Sequence, residues 1–83
     1  MYLEIITPDR KVFEGEVDSA IFPGTDGFFQ ILNRHAALIS TLGEGIITYS
    51  SKKEGKETIT IKGGVVEVLN NKVVALVESL IED

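Results

Sequence analysis

The chain has 83 residues, 13 acidic against 8 basic side chains, a net charge of −5 and no cysteine. That length makes one small domain, and 43% hydrophobic with 25% charged residues is a globular balance rather than a disordered one. A disulfide framework and a thiolate metal site are excluded, and the few scattered cations cannot neutralise a row of phosphates, so no nucleic-acid partner is expected.

No run approaches the roughly 20 apolar residues that span a bilayer, so no direct membrane insertion is expected. The opening MYLEIITPD has neither the basic n-region nor the apolar h-region of a secretory signal. A small domain of this kind, without cysteines, reads as intracellular.

In chain order, YLEIIT (2–7) is rich in β-formers and stops at the turn TPDR, where Pro8 presets its own backbone. KVFEGEVDSAIF (11–22) alternates, which predicts one long half-buried strand. Phe13, Gly15, Val17, Ser19 and Ile21 would share its inner face, and Gly15 would supply a bend or bulge. PGTDG (23–27) is a turn, and FFQIL follows as a short strand. Adjacent residues on a strand face opposite ways, so only one of Phe28 and Phe29 enters the core directly. The other is covered by a neighbouring loop or packs on a partner.

HAALISTL could form a turn or two of helix, limited by Thr41 and Gly43. GIITYSS (45–51) is a strand, SKKEGKE a solvated loop, and KETITIK (56–62) a strand with Ile59 and Ile61 on one face. Gly63-Gly64 marks a backbone bend or close approach. VVEVL and KVVALV flank Asn70-Asn71, which predicts a hairpin because asparagine tolerates positive φ. Both flanking runs are apolar on two faces, as in the middle of a sandwich, unless a partner covers part of that surface. At least seven short strands and no long helix predict an all-β fold, a two-sheet β-sandwich of short, mostly antiparallel strands.

No chemistry-bearing motif stands out. Ser19, Ser40 and Ser50 lie outside any G-x-S-x-G pattern, and His35, the one histidine, has no cysteine or second histidine to share a metal. PGTDG lacks the lysine of a phosphate-binding loop. Neither a catalytic nor a metal site is expected, and no cofactor. By residue chemistry the domain works by offering a surface. His35 reads either as a partly buried loop histidine bonded to backbone or as part of a surface that a partner contacts.

The segment PGTDGFFQILNRHAALISTLGEG (23–45) resembles the signature of the ε subunit of F-type ATP synthases. That family shows P-G-x-x-G, then G-I-L-P-x-H-A-P-L, then a leucine and a second glycine-containing turn. Pro23, Gly24, Gly27, Ile31, Leu32, His35, Ala36, Leu38, Leu42 and Gly45 keep that order. The flanks LEIITPDRKVFEGEVDSAIFPG and ITIKGGVVEVLNNKVVALVES are similar to the family's first strands and last hairpin, so the resemblance covers essentially the whole chain. Gln30 departs from a usual glycine, and Asn33 and Ala37 stand where prolines are common, which leaves the loop less constrained in the unfolded state.

The resemblance implies a non-catalytic rotor subunit of the central stalk. Such a subunit binds the γ subunit and the c-ring and couples ion translocation to ATP synthesis. It implies a c-ring-facing turn of Gly24, Asp26, Gly27 and Phe28, and a γ-facing loop of Asn33, His35, Ala36, Leu38 and Leu42. It also implies a peripheral place on the cytoplasmic face of the bacterial inner membrane. The chain corresponds to the N-terminal β-sandwich domain, 1–83, without the family's C-terminal helical hairpin, either as a short natural form or as an excised domain. Met1 and the acidic finish LIED fit the short form. No ATP binding is expected, since the nucleotide site of relatives that have one is built largely on that hairpin, and neither is inhibition of hydrolysis by it. The alternative is a free-standing β-sandwich that binds a small ligand or peptide in a concave apolar pocket.

Overall fold

The β-rich runs, each closed by a Gly-, Asn- or Pro-containing turn, become nine strands in the computed structural model, which describes residues 1–81. The acidic finish at Glu82 and Asp83 lies outside them. The strands are β1 (Tyr2–Ile6), β2 (Lys11–Glu16), β3 (Ser19–Gly24), β4 (Gly27–Leu32), β5 (Leu38–Leu42), β6 (Gly45–Ser51), β7 (Gly55–Ile61), β8 (Gly64–Leu69) and β9 (Lys72–Val77).

Two groups of strands stack. The first runs β2-β1-β9-β8-β5 and the second β4-β3-β6-β7. They are joined through a single pairing of Gly24 with Leu42, where the hydrogen-bonded path folds over. Every pairing is antiparallel except β1 with β9. The all-β sandwich expectation therefore holds, with two more strands than the minimum count.

Register explains the core. Phe13, Ile5, Ala75 and Val66 lie in one row across the first group, and Gly15, Leu3, Val73, Val68 and Leu38 in the next. These rows face Ala20, Phe22, Ile31, Ile47, Tyr49 and Ile61 of the second group, and the buried members form one cluster. The Phe13 and Tyr49 rings meet across the layers at 4.4 Å between centroids. The Asn70-Asn71 hairpin forms with both residues at positive φ, 51° and 63°. Gly64 is needed for close approach: a Cβ there would lie 2.2 Å from the Leu76 carbonyl oxygen.

Two expectations fail. The run 11–22 is two strands, because Val17 N–H donates to the Met1 carbonyl (2.9 Å) while Asp18 N–H donates to the Ser50 carbonyl (2.8 Å). Consecutive amides thus serve opposite layers, and the chain crosses between them. The inner face switches parity there, so Ala20 and Phe22 are buried rather than Ser19 and Ile21. The bulge falls at Val12, where the β1–β2 register slips, while Gly15 stays paired with Leu3. The second failure is HAALISTL, which forms no helix. Residues 38–42 pair along β8 from Leu38↔Val68 to Leu42↔Gly64. The five ladder positions outweigh a local helical preference that is weak in any case.

Candidate functional surface

The expected c-ring-facing residues gather at the tip of the β3–β4 hairpin. Gly24 and Gly27 pair, leaving Thr25 and Asp26 as the turn. Gly24 admits no side chain, since a Cβ would meet the Gly27 carbonyl oxygen at 2.7 Å and the Phe29 ring at 2.9 Å. The tip is pinned to the end of β5, with Thr25 N–H donating to the Thr41 carbonyl (3.2 Å) and their hydroxyls 2.9 Å apart. Phe29 turns inward onto Phe22, with centroids 5.7 Å apart. Phe28 is 71% exposed and no loop covers it, so the covered alternative does not describe this residue.

The expected γ-facing loop occupies 33–37, between β4 and β5. Asn33, His35 and Ala36 are exposed. The His35 ring donates from Nδ1 to the Ala36 carbonyl (2.8 Å), and His35 N–H donates to the Leu32 carbonyl (3.2 Å). The backbone bond expected of a loop histidine is present, but the ring is exposed rather than partly buried. Asn71 Oδ1 accepts from Arg34 N–H (2.7 Å), and Asn33 Oδ1 accepts from the Met1 ammonium. The β8–β9 turn therefore holds this loop in place. Arg34 takes positive φ, 64°.

Leu38 and Leu42 do not sit with them. Strand alternation turns Leu38, Ser40 and Leu42 toward the core, and Leu42 is only 4% exposed. The same alternation sends Ile39 outward at 72% exposure. Ile39 shares a shallow depression with Ala37 and Leu69. One row further on, Leu76 is exposed beside half-buried Val65, and half-buried Val74 follows Glu67. The outer face of β5, β8 and β9 is thus largely apolar and uncovered, with Thr41 and Glu67 within it and Lys72 at its border with β1. Sequence reasoning missed Ile39, whereas Leu69 and Leu76 fall in the two runs it found apolar on both faces. The alternation of LISTL would have found Ile39 had that run been taken as a strand.

The other end of the same outer face is charged. Glu4 receives Lys11 (3.2 Å) and Lys72 (3.1 Å), and Lys11 also reaches Glu14 (3.1 Å). Hydrogen bonding from Lys72, then from Lys11, holds Glu4 below its usual carboxylate range. The Tyr2 hydroxyl donates to Glu14, which lowers the carboxyl and raises the phenol. Burial pushes the Tyr49 phenol up.

Among the described residues the larger recesses are open and poorly made for a ligand. The largest, about 550 Å³, is an open cleft between the N-terminus and the 51–54 turn, lined by Glu16, Asp18 and Lys52 among others. A smaller recess of about 90 Å³ lies beside Phe13 and Tyr49. Among the described residues, no buried side-chain N or O atom lacks a partner, and no three His, Cys, Asp or Glu are placed to hold a metal ion.

Comparison with known proteins adds an independent line. Residues 1–83 match the family described as the ATP synthase delta/epsilon chain, β-sandwich domain. The ATP synthase epsilon chain of Chlorobium limicola is 41% identical over 94% of this chain and 89% of its own. That of Nitratiruptor sp. is 43% identical over 95% of this chain, which spans only 61% of the relative's length. Among solved structures, a chain in the central stalk and c-ring of the Tetrahymena thermophila mitochondrial ATP synthase aligns with a TM-score of 0.82. It is 19% identical over 98% of this chain and 65% of its own. A chain of the Euglena gracilis mitochondrial ATP synthase aligns at 0.87 and 20% identity, over 95% of this chain and 51% of its own. At such identities the likeness is one of fold.

Proposed function

The chain belongs to the ATP synthase delta/epsilon family, as its β-sandwich domain, and from that premise we propose that it binds the γ subunit and the c-ring of an F-type ATP synthase and turns with them. The domain is a stalk component with no catalytic step of its own. Its work is to hold two partners in a fixed relation so that rotation driven by ion flow reaches the catalytic subunits.

The observation that supports this best is the uncovered apolar outer face of β5, β8 and β9, continuous with the loop of Asn33, His35 and Ala36. Contiguous exposed apolar surface on a small domain marks a protein contact. We assign this face and loop to γ. Leu38 and Leu42 act from beneath by fixing the strand that carries Ile39. The hairpin tip of Gly24, Asp26, Gly27 and Phe28 is assigned to the c-ring. Pinning to Thr41 makes the tip a stiff contact, suited to carrying torque, and Phe28 offers an aromatic anchor. The complex operates at the membrane surface, and among the described residues no helix is long and apolar enough to cross a membrane.

The test is the affinity of the domain for a γ–c-ring subcomplex. Ile39→Asp should lose binding while melting like the parent, and Phe28→Asp should lose c-ring contact while keeping γ. Unchanged affinity in Ile39→Asp would remove γ from this face. Among the described residues, no enclosed apolar pocket favours the ligand-binding alternative.

A further inference from the structure

Among the described residues, β2, β7 and β4 are the strands that end the hydrogen-bonded path or its branch and have an edge no other strand covers. Exposed edges invite pairing with another chain unless charge or a cover blocks them. β2 carries Lys11, Glu14 and Glu16, and β7 carries Lys56 and Glu57. The far end of β7 is also covered, since Ile81 N–H donates to the Thr60 carbonyl and Lys62 N–H to the Ser79 carbonyl. β4 has neither protection. From Gly27 to Asn33 there is no charged residue and no proline.

The direction of the β4 backbone follows from Pro23. Its carbonyl accepts from Gly43 N–H (2.8 Å), on the side away from β4. Pro23 pairs with Phe28, so Phe28 also turns its N–H and C=O away from β3, toward the free edge. Alternation then places the peptide groups of Gln30 and the N–H of Leu32 on the same edge. The side chains of Phe28, Gln30 and Leu32 share the outer face, and Phe28 and Leu32 are among the exposed large hydrophobics.

We propose that β4 pairs antiparallel with β4 of a second copy of this chain, forming a two-fold dimer centred on Gln30. This register has the greatest overlap that the outward peptide groups allow. It sets Phe28 across from Leu32 of the second copy at both ends, and Gln30 across from its own equivalent. It also brings the Asp26 end of one strand beside the Arg34 end of the other, twice by symmetry. A chain of net charge −5 otherwise repels itself. At this edge the repulsion is replaced by two opposite-charge contacts and two apolar cross-strand pairs. The two β3-side layers become one sheet running through the dimer. The inference does not depend on the stalk reading. If both hold, the dimer buries Phe28 and must open before the tip reaches a c-ring.

The experiment is sedimentation velocity of the whole chain at low salt, from low micromolar to sub-millimolar concentration. The parent should show a reversible monomer–dimer equilibrium. Gln30→Pro removes an outward N–H at an edge position where proline is tolerated, and should be monomeric throughout with an unchanged melting curve. Should it fail to fold, Gln30→Lys, which sets two ammonium groups face to face on the axis, should be monomeric instead. Asp26→Arg and Arg34→Asp should each raise the dimer dissociation constant roughly fivefold or more, and the double variant should restore it. A parent that stays monomeric, a dimer indifferent to position 30, or open-ended aggregation in place of a dimer would each overturn the proposal. Failure of the charge swap to restore pairing would overturn the register.

Discussion

The outer face of the first sheet has two unlike ends. At β1 and β2 each charge has a partner: Glu4 holds two lysines, and Glu14 holds Lys11 and Tyr2. At β5, β8 and β9 Ile39, Leu69 and Leu76 have nothing over them. One end is finished in the isolated domain and the other is finished only by a neighbour. An ion-paired surface loses nothing in water, whereas an apolar one gains by being covered.

The largest effect that would sharpen this contrast comes from two aspartates on one strand. Leu42→Asp should unfold the domain, at a cost of about 3–5 kcal/mol for a carboxylate placed among core side chains. Ile39→Asp, three residues earlier and facing out, should change stability by less than about 1 kcal/mol. Thermal melts of the pair check both. If Ile39→Asp melts as low as Leu42→Asp, the apolar end is part of the domain's own core and not a docking face.

A smaller effect belongs to binding. His35→Glu should leave the melting curve near the parent's, because the ring is exposed and bonds only to its neighbour's carbonyl. It should weaken binding to a γ-containing complex by about thirtyfold, near 2 kcal/mol for a carboxylate set into an interface without a partner. Lys53→Glu, in the exposed β6–β7 turn, should alter neither property. Isothermal titration beside calorimetry separates the two outcomes, and equal affinity in His35→Glu would confine the γ contact to the sheet face.

The smallest effect lies at the charged end. Glu4 and Glu14 are held below their ordinary value of 4.5 by donated hydrogen bonds. Their contribution is therefore complete above that value and fades as pH falls through the lowered one. Glu4→Gln should melt slightly below the parent at pH 7 and level with it in acid, beneath both values. A gap that persists unchanged into acid would show that packing, not charge, sets the difference. Partner binding should not respond, since these pairs lie at the opposite end of the face.

Legibility followed how local the deciding interaction is. GIITYSS matched β6 residue for residue, and Asn70-Asn71 formed the expected turn, because alternation and positive φ are properties of a few consecutive residues. The break at Val17-Asp18 was hidden. It depends on which carbonyl each amide meets, Met1 on one side and Ser50 on the other. LISTL was hidden for a related reason, since β8, more than twenty residues away, supplies the ladder that makes it a strand. That one misreading left Ile39 unnoticed, because the outward parity of a strand residue shows only once the run is taken as a strand. The hairpin tip was legible because Pro23, Gly24 and Gly27 act within one turn.

The parallel pairing of β1 with β9 bears on how the domain is made. β9 lies between β1 and β8, so β1 and β9 are neighbours although some 70 positions apart. Before β9 leaves the ribosome, β1 and β2 have only each other, and an isolated hairpin is marginal in water. The β3–β4 and β6–β7 hairpins can pair earlier, yet the surface they bury belongs to a layer that does not exist. Folding thus waits on the closing of a very long loop, and is slow for a chain of this size. During that wait the uncharged β4 edge stands open, which makes the nascent chain the form most exposed to wrong pairing.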